Sequence, residues 1–197
     1  MRKLVFFVGG AGAGKTTVAK TLAERNGITL LDMDTLLRPA AVALMNAAGG
    51  DPSDRDSSQY KSLCRDLGYR ITMDAALENI SLGTSVFVVG PFTKETEDPK
   101  WIDQELARIG ASMQNVDVKV VVVNLANEQH YRSRIEQRGS VLDQWKLDNW
   151  SEFSPSLTAR VMKWSLPGDS VLFYDNSQPL GPEKIASLER FVFGMSD

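Results

Sequence analysis

Apolar residues fall in short unbroken runs, separated by longer stretches of helical spacing. Leu4–Val8, Ile28–Asp32, Ser85–Val89, Val118–Leu125 and Val171–Tyr174 read as strands. Their apolar positions are continuous rather than alternating, which suits strands covered on both faces, as in a parallel sheet flanked by helices. Between them, helical spacing predicts helices over Lys15–Arg25, Thr35–Ala48, Gln59–Ile80 (with a break near Gly68) and Pro99–Met113. Asn127 is placed to cap a helix running to Arg138 and closed by Gly139. Short helices follow at Asp143–Trp150 and Leu157–Trp164, and a last one at Pro182–Phe193 opens on proline. Turn residues make 49–58 a loop. No repeat or low-complexity linker interrupts this order. The pattern predicts one α/β domain over residues 1–197, a three-layer sandwich around about five parallel strands.

Composition narrows the class. The chain has 197 residues, 43% hydrophobic, ordinary for one sizeable core. A net charge of −3 argues against a nucleic-acid-binding surface. The single cysteine, Cys64, excludes an internal disulfide framework and builds no zinc site alone, so a reducing cytoplasm is expected. The start "MRKLVFFVGGAGA" mimics a signal peptide, but the apolar run Leu4–Val8 falls short of the roughly 7–15 residues such a segment needs. No apolar stretch approaches the roughly 20 residues of a membrane span, so no membrane partner is expected.

The chemistry concentrates in "GGAGAGKT", Gly9–Thr16. It fits G-x-x-x-x-G-K-[ST] in full. The dinucleotide pattern G-x-G-x-x-G fails, because Lys15 and Thr17 stand where its last glycine would fall. A loop around a phosphate must turn several backbone N–H groups inward, which needs unusual dihedrals and no Cβ in the way. The helix that follows offers free N–H groups and its positive dipole end to the same anion. Gly9, Gly10, Ala11, Gly12, Ala13, Gly14, Lys15, Thr16 and Thr17 are therefore the expected binding segment for ATP. Lys15 would reach the β- and γ-phosphates, and Thr16 would hold Mg²⁺.

Two further groups bear on the reaction. "LLDMD" puts Asp32 and Asp34 at the end of the second strand, two apart and hence on one side if the strand persists. One carboxylate could hold Mg²⁺ through water, and this is expected of Asp32. The other, Asp34, could accept a proton from a substrate hydroxyl. Asp34 could equally cap the helix beginning at Thr35. Beyond the fourth strand, Arg134 and Arg138 are four apart on one helix face, placed to neutralise charge on a transferring phosphoryl group or to stack on adenine. The competing reading is a solvated face salt-bridged to Glu128 and Glu136. GTPase motifs N-K-x-D and D-x-x-G are absent from the sequence.

These elements together resemble the small-molecule kinases of the nucleoside-monophosphate-kinase-like P-loop group: shikimate kinase, gluconate kinase, chloramphenicol phosphotransferase and zeta-toxin-like AAA-domain kinases. The stretch "YRITMDAALENISLGTSVFVVGPFTKE" looks like the last of these. The resemblance implies a sheet ordered 2-3-1-4-5, ATP with Mg²⁺, a mobile lid near 127–150 and phosphoryl transfer to a hydroxyl. It assigns phosphate binding to Gly9–Thr17, metal or substrate to Asp32 and Asp34, and lid duty to Arg134 and Arg138. Gly90-Pro91-Phe92 stands where shikimate kinases carry a triple glycine, and "RGSVLDQWK" departs from the gluconate kinase lid.

Other residues weigh less. His130 reads as an exposed helix-start residue, Cys64 as a buried thiol, and Trp145, Trp150 and Trp164 as packing for lid helices. Lys146 could join the lid arginines. Arg65, Tyr69 or Arg70 could contact the acceptor. Asp175 and Asn176 follow the fifth strand, where the resemblance places an adenine-flanking loop read by backbone groups, so their side chains carry little information. The expected function is an ATP-dependent phosphotransferase acting on a small hydroxylated molecule, as a monomer or homodimer. A slow-ATPase regulatory switch and a toxin-type kinase of a nucleotide sugar are the alternatives.

Overall fold

A computed structural model describes residues 1–158 and 160–194. Five strands, β1 (Arg2–Val8), β2 (Thr29–Asp32), β3 (Val86–Val89), β4 (Val116–Asn124) and β5 (Val171–Asp175), form one parallel sheet in the order β2-β3-β1-β4-β5. This is an α/β P-loop kinase fold. Register runs Phe7↔Val89, Val8↔Val122, Asp32↔Val89 and Asn124↔Asp175, so all five strands end along one edge. In such sheets that edge is where ligands bind.

Helices cover both faces. Alternate residues of β1 divide the core: Leu4, Phe6 and Val8 pack with α4 (Asp66–Ser81) and α5 (Trp101–Ala107), whereas Val5 and Phe7 pack with α1 (Lys15–Asn26) and α9 (Pro182–Phe193). All five side chains are fully buried. α2 (Met33–Ala47) packs against α4 and forms a satellite cluster in which Leu37, Ala41 and Met45 meet Cys64. Cys64 is a buried free thiol whose pKa burial raises. The rest of the helical set is α3 (Ser58–Tyr60), α6 (Glu128–Arg138), α7 (Gln144–Asp148) and α8 (Trp150–Phe153). No helix among the described residues is long and apolar enough to cross a membrane.

Most predicted elements recur, and the departures have local causes. α6 is capped by the Asn127 side chain, which accepts from the His130 N–H, and ends on left-handed Gly139. The expected break at Gly68 does not occur. Gly68 sits inside α4, where a Cβ would lie 2.8 Å from Leu37, so glycine there permits close helix packing. The irregularity falls earlier, in a π-helical turn over Lys61–Arg65. The fourth predicted helix shortens to Trp101–Ala107. The helix expected over Leu157–Trp164 is absent: a 3-10 turn, Ser154–Leu157, is followed by irregular chain over the described residues 160–164. Leu157 packs in one face's core and Trp164 in the other's, which no single helix could satisfy.

Candidate functional site

β1 stops at Val8 and α1 begins at Lys15, leaving residues 9–14 as the loop between them. Gly9 has φ 143°, and a Cβ there would lie 2.1 Å from the Val123 carbonyl oxygen of β4. Glycine is thus obligatory where the loop passes its neighbouring strand. Gly14 caps α1 in the left-handed region at φ 90°, with no side chain capping the helix and no acidic residue in its first turn. The free N–H groups of that first turn are left for an anion.

Lys15 reaches back across the loop, its Nζ donating to the Gly10 carbonyl at 2.9 Å. Burial pushes its pKa down from 10.5 to about 8; Asp34 and Asp32 oppose the shift, and Arg160 and Arg138 add to it. An ammonium so disfavoured is poised to gain an anionic partner.

The end of β2 meets the start of α1. Thr16 Oγ1 donates to Asp32 Oδ2 at 2.8 Å. The other oxygen, Oδ1, accepts from the Asp34 N–H at 2.9 Å and the Thr35 N–H at 3.3 Å, so Asp32 caps α2. This corrects the alternative reading of Asp34 as the cap: α2 begins two residues earlier than expected. Asp34 is exposed in the first turn of α2, and its carboxylate accepts no hydrogen bond among the described residues. It acts on both Lys15 and Tyr60, whose phenol burial raises to about 12. The described residues hold no group of three or more His, Cys, Asp or Glu side chains suited to a metal. Thr16 and Asp32 alone supply protein oxygens, a donor set that fits Mg²⁺ completed by phosphate and water.

The two predicted arginines part company. Arg134 lies on the outside of the loop, Nη1 3.4 Å from the Ala13 carbonyl and Nη2 donating to the Asn176 carbonyl. Arg138 instead pairs with Asp143, its Nε donating to Oδ2 at 2.7 Å. Glu136 pairs with Arg132 rather than with either, and Glu128 accepts from the Trp150 indole, so the salt-bridged face expected for these arginines is not formed. Lys146 is buried between Asp143 (3.3 Å) and Asp56 (2.9 Å), joining the segment after α6 to the loop after α2.

Several expectations change. The three tryptophans expected to pack the lid helices divide: Trp164 and Trp150 pack against opposite cores and Trp145 does not. Trp164 stacks on Trp101 at 5.4 Å in the core, Trp150 tilts against Phe153, and Trp145 is partly exposed. Arg65 is held by Asp66 and Glu95, and Arg70 by Glu105 and Asp74, while Tyr69 is buried against Phe92. His130 sits exposed at the start of α6, its Nδ1 2.9 Å from Asn127. Asn176, dismissed as uninformative, is buried, and its Nδ2 donates to the Ala13 carbonyl at 2.9 Å, pinning the loop to the end of β5. Arg160 was missed altogether. It follows no motif, and its neighbourhood read as helix.

Comparison with known proteins agrees with this geometry. A family model described as an AAA domain matches residues 4–151. No curated protein matches the chain in sequence. Among solved structures, a candidate kinase from Chloroflexus aurantiacus j-10-fl superposes with TM-score 0.68 at 13% identity, covering 100% of this chain and 99% of its own. A sugar kinase from Janibacter sp. HTCC2649 gives 0.60 at 17%, covering 100% and 96%. A gluconokinase from Sinorhizobium meliloti 1021 gives 0.51 at 15%, covering 98% and 89%. At these identities the likeness establishes the fold. The chain belongs to the AAA-domain family, with the fold of the nucleoside-monophosphate-kinase-like P-loop kinases.

Proposed function

We propose that the protein is an ATP-dependent kinase that transfers the γ-phosphate of ATP to a hydroxyl of a small molecule, residues 1–197 acting as one unit with a lid near 127–150. One observation carries the reading. Along a single sheet edge lie a glycine loop closed by Lys15, a Thr16–Asp32 contact of 2.8 Å, and an exposed Asp34 whose carboxylate accepts no hydrogen bond among the described residues. The kinase names of the sugar kinase and gluconokinase neighbours favour the same class.

In this reading the amides of Gly9–Thr17 and Lys15 hold the triphosphate. Thr16 and, through water, Asp32 would hold Mg²⁺, which when bound would supply charge neutralisation to the reaction. Asp34 orients the acceptor hydroxyl and takes its proton as the oxygen attacks phosphorus. Arg134 lies where it can follow the nucleotide toward β5. Arg138 would exchange Asp143 for the transferring group as the lid closes, which also excludes water.

Asp34→Asn tests the assignment. Because the carboxylate holds up no local structure, the variant should fold and bind ATP normally. Transfer of labelled γ-phosphate to a metabolite pool should fall about 10²- to 10⁴-fold. Unchanged transfer would remove Asp34 from the mechanism. Release of inorganic phosphate alone, unstimulated by the pool, would favour a regulatory ATPase over a kinase.

A further inference from the structure

Arg160 is a half-buried cation near the strand ends that the proposed mechanism leaves unused. Its hydrogen bonds among the described residues go to main-chain carbonyls: Nε to Pro91 at 2.9 Å, Nη1 to Thr158 at 3.3 Å and to Ser156 at 3.5 Å. Among the described residues it forms no ion pair; Glu97 acts on it only from beyond ion-pair distance. Arg65, Arg70, Arg108, Arg132 and Arg138 each have a carboxylate within such a distance, whereas Arg2, Arg55 and Arg134 share with Arg160 a set of main-chain carbonyl partners. Carbonyl oxygens satisfy a guanidinium's N–H groups but leave its charge uncompensated. A partly buried cation in that condition is unfavourable until an anion joins it. Burial accordingly holds its pKa below the usual arginine value.

Its placement is built into the fold. Leu157 packs on Gly10 of the phosphate loop, where a Gly10 Cβ would lie 3.1 Å from Leu157 Cδ2. Trp164 stacks on Trp101 on the opposite face of the sheet, and its indole donates to the Glu95 carbonyl at 2.7 Å. Arg160 lies between these anchors, against the chain that leaves the end of β3. The receiving carbonyl belongs to Pro91, two residues beyond the end of β3. Phe92, which follows, has φ 44° and is the one non-glycine among the described residues with positive φ. It is fully buried between Phe6, Tyr69 and Trp101. An aromatic residue in that region costs about 1–2 kcal/mol. The distortion orients the peptide that presents the Pro91 carbonyl to Arg160.

The order of the strands separates the arginines. Arg134 lies toward β5 with Asn176. Arg160 lies over β3, between the loop on β1 and the aspartates at the end of β2. That is the side away from β5, and Arg160 stands close enough to Lys15 for its charge to act on it. We propose that Arg160 binds an anionic group carried by the acceptor itself, so that the acceptor is a small hydroxylated anion, a hydroxy acid or a phosphorylated polyol, and not a neutral polyol. The proposal rests on the kinase reading. Asp34 receives the hydroxyl, and the fork of Arg160 fixes the other end of the molecule.

Calorimetry separates the two claims. The protein is first saturated with Mg²⁺ and adenylyl imidodiphosphate, so that added anions cannot enter the phosphate loop. It is then titrated with glycerol, glycerate or glycerol 3-phosphate. Glycerate or glycerol 3-phosphate should bind and glycerol should not; which of the two binds tells carboxylate from phosphate. Arg160→Gln should weaken the anion about 10- to 100-fold with nucleotide affinity unchanged. Arg160→Lys, which keeps the charge but not the fork, should fall between. Nucleotide heat without an Arg160-dependent anion, or glycerol binding as well as its anionic analogues, would overturn the proposal alone. A loss of nucleotide affinity in Arg160→Gln would do the same, placing this residue on the triphosphate. No heat with the nucleotide analogue would remove the kinase reading and the proposal with it.

Discussion

Lys15 should make nucleotide binding take up protons, by an amount the structure sets. With a pKa of about 8, the free protein holds Lys15 about half protonated at pH 8 and about nine-tenths protonated at pH 7. A triphosphate at the mouth of the loop would return the group to its full ammonium. Binding should therefore take up about 0.1 proton at pH 7, about 0.5 at pH 8 and about 0.9 at pH 9. Titration calorimetry in Tris and in HEPES, whose ionisation enthalpies differ, reads that number from the change in apparent heat. Lys15→Arg, permanently charged, should lose the pH dependence. The same group acts on stability without ligand. Its folded pKa lies below the unfolded one, so between about pH 8 and 10.5 the unfolded chain carries more protons and stability rises with pH. The drop from 10.5 to about 8 sets a ceiling of about 3 kcal/mol. Solvent access to the partly exposed side chain brings this to about 1–2 kcal/mol. Lys15→Met should accordingly raise the melting temperature of the unliganded protein at pH 7. A proton number equal at pH 7 and pH 9, or one kept by Lys15→Arg, would refute the reasoning.

Gly9→Ala should cost about 3 kcal/mol or more, because its Cβ would sit 2.1 Å from a fixed carbonyl of β4. Gly83→Ala, also at positive φ but with open space around it, should cost only about 1 kcal/mol; thermal melts that rank the two equally would contradict the clash. Lys146→Met should cost about 1–3 kcal/mol, since it leaves Asp56 without its cation, and Asp56→Asn should cost less, since Lys146 keeps Asp143 at 3.3 Å. The double variant should cost less than the sum of the two, whereas additive losses in a double-mutant cycle would show that the loop after α2 and the segment after α6 are not coupled.

What could be read from the chain was whatever short-range patterning encodes. The buried strands announced themselves as unbroken valine and phenylalanine, and the phosphate loop as a fixed spacing whose glycines each answer a local demand. Asn127 and Gly139 bounded α6 by their own chemistry. Where reading failed, the contact joined distant residues or depended on register. Asn176 meets Ala13 across 163 positions, and Lys146 meets Asp56 across 90. No periodicity forecasts such pairs. The aspartate pair was found, but their roles turned on whether α2 starts at Met33 or Thr35, a two-residue shift that moves the cap from one carboxylate to the other.

The stretch from Leu157 to Trp164 shows how the same failure concealed function. Apolar residues seven apart look like one face of a helix. Here they are anchors on opposite faces of the sheet, Leu157 against the phosphate loop and Trp164 against Trp101. A chain bound to both faces must pass over an edge, and the edge available is the one where every strand ends. A residue carried across that edge stands among the groups that bind ligand, whatever its sequence neighbours suggest. Arg160 owes its place to that crossing, and its guanidinium, bonded to main-chain carbonyls, brings to the edge a positive charge with no ion pair among the described residues.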